Sequence, residues 1–172
     1  MPPRLDQPQE RHTLAVLVDN EAGVLARIVA LFSGRGYNID TLTVAEVDPN
    51  ERTSRITIKT TGTRLIIDQI RTQLERLVPV HRVVDLTEGP PYTEREMALI
   101  KVAGTGDKRV EALRIADAFR ARIIDTTHTS FIFELTGASD KIETFVNLMK
   151  PLGLVEVSRT GVVAIQRGPE GM

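Results

Sequence analysis

Cysteine is absent from the 172 residues, which excludes thiol nucleophiles, disulfides, Cys-ligated zinc and iron–sulfur clusters. Tryptophan is absent too, and aromatic residues make up only 4%. The apolar 41% is therefore mostly aliphatic and β-branched, a composition that favours sheet packed against helices. Charge of one sign is also missing in excess: 22 Lys and Arg face 23 Asp and Glu, a formal net charge of −1. That leaves no long-range electrostatic reason to expect a nucleic acid or an anionic membrane as the main partner. No apolar run approaches the ~18 residues that cross a bilayer. The start, Met1-Pro2-Pro3-Arg4-Leu5-Asp6-Gln7-Pro8-Gln9-Glu10, lacks the apolar core of a signal peptide, so a cytoplasmic location is expected. His12, His81 and His128 lie far apart with no second histidine at ligand spacing; they read as surface or strand-edge groups, and no metal site is expected.

What is present is a pattern of alternating elements, in a chain long enough for one ordinary domain or two small ones. Thr13–Val18 is a nearly continuous apolar run that suits a strand buried on both faces. Val24, Leu25, Ile28, Val29, Leu31 and Phe32 then recur at helical spacing, with Asp19 or Asn20 placed as N-cap and Gly34 or Gly36 as the stop. Asn38–Val47 and Thr53–Thr61 alternate on either side of the turn Asp48-Pro49-Asn50-Glu51, which predicts a hairpin. Leu65, Ile66, Ile70, Leu74 and Leu77 form the apolar stripe of a second helix, stopped by Pro79, and Val80–Leu86 closes the unit as a strand.

After the linker Glu88–Thr93, with its Pro90-Pro91 pair, the same order begins again. Glu94–Val102 reads as a strand, and a helix follows Asp107, which is placed as its cap. Arg122–Thr127 and Ser130–Leu135 are strands, Ile142–Met149 is helical, and Val155–Val157 and Val162–Ile165 supply the last strand content. The expected fold class is α+β: two βαββαβ ferredoxin-like domains, divided at 1–88 and 89–172. The loop Val102–Lys108 lacks the spacing of a phosphate-binding loop and reads as a plain turn.

The most informative stretch is Asp19-Asn20-Glu21-Ala22-Gly23-Val24-Leu25, a polar turn with a glycine between a buried strand and an apolar helix. It suits a simple helix cap. It equally suits a binding site, because a helix N-terminus offers unpaired N–H groups and a positive dipole end to a carboxylate. A glycine there clears room for a ligand's main-chain atoms, and an asparagine offers both a donor and an acceptor to a free amino acid.

Continued through Ala26-Arg27 and Leu31-Phe32-Ser33-Gly34-Arg35-Gly36-Tyr37-Asn38-Ile39, this segment resembles the ACT domain of the small, regulatory subunit of acetolactate synthase (acetohydroxyacid synthase). Asn-x-x-Gly-Val-Leu is shared by ACT domains generally, whereas Phe-Ser-x-Arg-Gly-Tyr-Asn-Ile is more specific to this family. The likeness extends through Thr41–Val44, Glu94-Arg95-Glu96, Ile123-Ile124-Asp125 and Val155–Val163, nearly the whole chain. It implies an N-terminal ACT domain for effector binding and dimerisation, followed by the small subunit's C-terminal ferredoxin-like domain. It also implies a non-catalytic chain, itself without cofactor, that activates a large subunit carrying thiamine diphosphate, Mg2+ and FAD. The same resemblance implies feedback inhibition by a branched-chain amino acid, valine foremost, held by Asn20, Gly23, Val24, Leu25, Asn38 and Ile39.

In a βαβ unit Asn20 and Asn38 fall at opposite ends of the intervening helix, roughly 20 Å apart at ~1.5 Å per residue. One small amino acid cannot reach both in one chain. A shared pocket must then be intermolecular, which predicts a homodimer with two equivalent sites, the strand after Asn38 covering its edge against a second copy. A free-standing amino-acid sensor acting on another partner is the alternative. RNA binding would need exposed aromatics on the central strands, and Arg55–Lys59 has none. No nucleophile–base pair or paired-carboxylate constellation points to an enzyme. Glu94, Arg95, Glu96 and Arg159 read either as a large-subunit interface or as solubilising charge.

Overall fold

In the computed structural model, which describes residues 8–172, the apolar run beginning at Thr13 lies within β1 (Glu10–Asp19), and Leu14, Ala15 and Val16 are fully covered. The N-terminal stretch before residue 8, part of the segment read for a signal peptide, lies outside the described residues. After β1 come α1 (Val24–Gly34), β2 (Thr41–Asp48), β3 (Thr53–Gly62), α2 (Arg64–Glu75) and β4 (Val80–Asp85). The strands pair antiparallel in the order β2-β3-β1-β4, which leaves β2 on an edge. Leu14, Val16 and Val18 of β1 and Ile56 and Ile58 of β3 share one face of the sheet. They pack with Val24, Ile28 and Phe32 of α1 and with Ile67, Ile70 and Leu74 of α2. A period of two thus meets a period of 3.6, and each such side chain contributes about 1.5–3 kcal/mol relative to exposure.

Three local expectations are corrected here. The N-cap of α1 is Gly23, at φ +87 and without a side-chain cap bond, not Asp19 or Asn20. Those two are held away from the helix, Asp19 N bonding Pro79 O and Asn20 N bonding Arg52 O. β2 begins at Thr41 rather than Asn38, because local bonds replace the ladder: Asn38 Nδ2 donates to Asp40 Oδ1 and Thr60 Oγ1 donates to the Asn38 carbonyl. α2 ends at Glu75, short of Pro79, while its start is capped by Thr63, whose side chain accepts from Ile66 N. The hairpin turn itself is as expected, with Asp48 Oδ1 accepting from the N–H groups of Asn50 and Glu51.

The second unit repeats the order: β5 (Tyr92–Ala103), α3 (Gly106–Phe119), β6 (Arg122–Thr126), β7 (Ser130–Gly137), α4 (Ser139–Met149) and β8 (Leu154–Arg159), with strands in the order β6-β7-β5-β8. A short β9 (Val163–Gln166) follows. Here the core is aromatic as well as aliphatic. Phe145 meets Phe119 and Phe133 edge-on at centroid separations of 5.4 and 5.9 Å, among Ile100, Leu135, Ile142 and Met149. Asp107 does not cap α3; Thr105 is the N-cap, without a side-chain bond, and Asp107 lies in the first turn.

By compactness the chain divides into one unit that runs to Thr93 and takes in Ala164–Met172, and a second spanning Glu94–Val163. This differs from a boundary at 88/89 at both ends. The final residues join the first unit because Arg55 Nη2 donates to Ala164 O at 2.8 Å and Arg167 N donates to Pro91 O at 2.9 Å. No helix among the described residues is long and apolar enough to cross a membrane.

Candidate functional site

Asn20, Gly23, Val24 and Leu25 gather where β1 turns into α1. Gly23 is in the left-handed region, and a Cβ built on it would meet nothing within 4 Å, so the space beside it is open. There is no acidic residue in the first turn of α1 and no side chain caps it, so the positive end of the helix dipole is uncompensated. Val24 is buried in the core and anchors the turn; Leu25 is 37% exposed. Asn20 Nδ2 donates to Glu46 Oε1 of the edge strand at 3.1 Å. Sequence reasoning missed Glu46. The hairpin register carries its signal, because a turn at residues 48–52 returns β2 to the end of β1.

Asn38 and Ile39 are not part of this group. Asp19 pairs with Thr53 across the β1–β3 ladder, whereas Asp40 N bonds Lys59 O. Six residues of strand, roughly 20 Å, separate the two ends of the sheet. Asn38 is exposed there, and Ile39 leans on the core. Between the two ends runs β2, on the sheet's edge, with Val44 and Val47 47% and 53% exposed.

The fold accords with what comparisons with known proteins give. Residues 14–82 match the family described as "AHAS small subunit-like ACT domain", and residues 95–168 match "Small subunit of acetolactate synthase". The chain is 44% identical over 163 residues to the acetolactate synthase isozyme 3 small subunit of Salmonella typhimurium, covering 94% of this chain and 99% of that one. It belongs to the acetolactate synthase small-subunit family. A probable small subunit from Archaeoglobus fulgidus is 43% identical over 92% of this chain and 98% of its own. Among solved structures, the small subunit from Thermotoga maritima superposes with a TM-score of 0.84 at 38% identity, covering 94% of this chain and 99% of that chain. Because the small-subunit family covers both units, a sensor built on the first unit alone does not account for the second.

Two further groups depart from their surface reading. Glu96 is 2% exposed and takes a two-pronged bond from Arg159, Nε to Oε1 at 2.6 Å and Nη2 to Oε2 at 2.9 Å. Ser139 Oγ also donates to Glu96, and Arg159 Nη1 reaches Glu143 at 3.1 Å. The hydrogen bond to Glu96 raises the Arg159 pKa above its ordinary value against the opposing effect of burial. Glu96 and Arg159 are thus an internal clamp joining β5, β8 and α4. His12, expected at the surface or a strand edge, is 1% exposed.

Proposed function

We propose that the chain is the regulatory subunit of acetolactate synthase in branched-chain amino acid biosynthesis. It binds the catalytic large subunit, raises its activity, and makes it sensitive to valine held between two copies of the first unit. The chain contributes no reacting group; the thiamine diphosphate, Mg2+ and FAD of the reaction belong to the large subunit.

The near full-length likeness to small subunits on both units carries this reading. The effector's carboxylate would lie against the open N-terminus of α1, where the dipole contributes about 0.3–1 kcal/mol and the space beside Gly23 admits its main-chain atoms. The Asn20 carbonyl oxygen and the Glu46 carboxylate suit its ammonium. Asn38 and Ile39 would close the pocket from the second copy, which their separation from Asn20 within one chain requires and which an exposed edge at β2 permits. A ligand clamped between copies favours one dimer geometry, and a coupling of about 1–3 kcal/mol to the large subunit suffices for useful feedback. A methylene more or less is worth about 1–3 kcal/mol, so valine, leucine and isoleucine should differ in potency by one to two orders of magnitude at most.

The test is reconstitution of a purified acetolactate synthase large subunit with and without the chain. The chain should raise the rate and introduce inhibition by valine. An unchanged rate and no valine response, with no complex on gel filtration, would contradict the assignment.

A further inference from the structure

His12 is buried at the end of β1 between two carboxylates. Its Nδ1 lies 2.7 Å from Asp85 Oδ2, a carboxylate whose side chain is only 3% exposed. Its Nε2 has no hydrogen-bond partner and stands 3.6 Å from Glu10 Oε2, beyond hydrogen-bond reach. Glu88 completes the group: His12, Asp85 and Glu88 each present a ligand atom within 4.8 Å of the others. Of the charged groups around it, Glu10, Asp85 and Glu88 are negative, and Arg64, 3.5 Å from Glu88, is positive.

The turn that carries Glu88 is pinned to β1. Leu86 N donates to Thr13 O, Thr13 N donates to Thr87 Oγ1, and Asp85 Oδ1 accepts from Thr87 N, each at 2.9 Å. These bonds tie Thr13 of β1 to Leu86 and Thr87 and fix the Asp85 carboxylate beside His12. The far side of the ring adds a second sign. Nε2 is buried without a hydrogen-bond partner, and the Glu10 carboxylate stands 3.6 Å from it. A cation on Nδ1 would put the ring proton on Nε2, facing Glu10. That is the outer-carboxylate arrangement found at metal-bound histidines.

We infer that His12 Nδ1, Asp85 and Glu88 form a binding site for a divalent transition cation of the zinc class, distinct from the effector site, that ties the start of β1 to the turn after β4. An imidazole with two carboxylates suits zinc-like ions better than Mg2+ or Ca2+, which prefer oxygen alone. Two ligands of one zinc lie about 3.3 Å apart at ~2.0–2.1 Å bonds, so binding would open the Nδ1–Asp85 contact by roughly half an ångström.

The full chain, with any affinity tag removed, is titrated with zinc chloride by calorimetry at neutral pH, and a parallel titration uses magnesium chloride. The expected result is one zinc per chain, no competition from millimolar Mg2+, and affinity at least tenfold weaker in Glu88→Gln, whose side chain is a third exposed. Nitrogen–proton correlation spectra of the wild-type imidazoles should show His12 protonated on Nε2 when zinc is saturating. Absence of saturable zinc binding, binding unchanged in Glu88→Gln, or a His12 still protonated on Nδ1 in saturating zinc would each overturn the site. The last outcome would mark the pair as a structural hydrogen bond. None of these readings depends on the large subunit or on valine, so the site and the regulatory assignment fail separately.

Discussion

The two units share one strand order and one helix placement, yet they differ where a ligand would enter. The helix after the first strand starts at an uncapped Gly23 with no acid in its first turn, whereas the corresponding α3 carries Asp107 there. A carboxylate already at the positive end of the dipole disfavours a second one. Inside, the contrast reverses. The first unit is held by an aliphatic core with a single buried phenylalanine, Phe32, while the second has a phenylalanine cluster and a buried Glu96–Arg159 clamp. The same topology thus supports an open helix end in one unit and a closed, internally paired body in the other.

The largest effect should come from breaking the closed body. Arg159→Met removes the two-pronged bond to the buried Glu96 carboxylate. Removing one partner of a fully buried pair costs about 3–5 kcal/mol; with Arg159 itself a third exposed, about 2–3 kcal/mol is expected. Urea denaturation measures it, and a shift under 1 kcal/mol would show that the clamp is not structural. Next, Gly23→Asp should weaken valine binding at least tenfold, about 1.4 kcal/mol, by placing a carboxylate where the ligand's belongs. Gly23→Asn, which tolerates positive φ about as well without the charge, separates charge from backbone strain. Asp107→Asn should leave valine binding unaltered; a new site appearing on α3 would mean that the acid alone distinguishes the two units.

The smallest effect is at the surface. Lys101 Nζ donates to Glu156 at 2.8 Å, and that bond, with the ammonium's charge, holds the Glu156 carboxyl below its ordinary pKa. A lowered folded-state value means that any stabilisation is present above the ordinary carboxylate range and is lost as pH falls through the folded value. The pair is exposed, so Glu156→Gln should barely move the melting temperature at neutral pH, and the difference from wild type should vanish in acid. A large neutral-pH loss would contradict this.

Much of the architecture was readable because hydrophobic periods state it directly: alternation in β3, Ile70 and Leu74 in the stripe on α2, where Ile67 is buried in place of the expected Leu65, and proline at the linker. What escaped reading was local chemistry without a period. A glycine at φ +87 can cap a helix while the asparagine three residues earlier is tied to a distant carbonyl, and nothing in the turn's composition separates the two. Asn38 reads as strand until Asp40 and Thr60 are seen to satisfy it instead. Glu96 could have been found, since it shares the even-numbered face of β5 with Ala98, Ile100 and Val102, all buried. Its neighbours Glu94 and Arg95 disguised it as surface charge. His12 and Asp85 are 73 residues apart and meet only through the pairing of β1 with β4.

The central claim is that the open end of the first unit makes a site only with a second copy. Calorimetric titration of valine into mixed dimers, one chain carrying Gly23→Asp and the other Asn38→Ala, tests it most directly. A pocket built from Asn20 and Gly23 of one copy and Asn38 of the other leaves one site intact, so half the wild-type stoichiometry at wild-type affinity is expected, while neither mutant homodimer binds. Mixed dimers that bind no valine would contradict the shared pocket and place both halves of the site on a single chain.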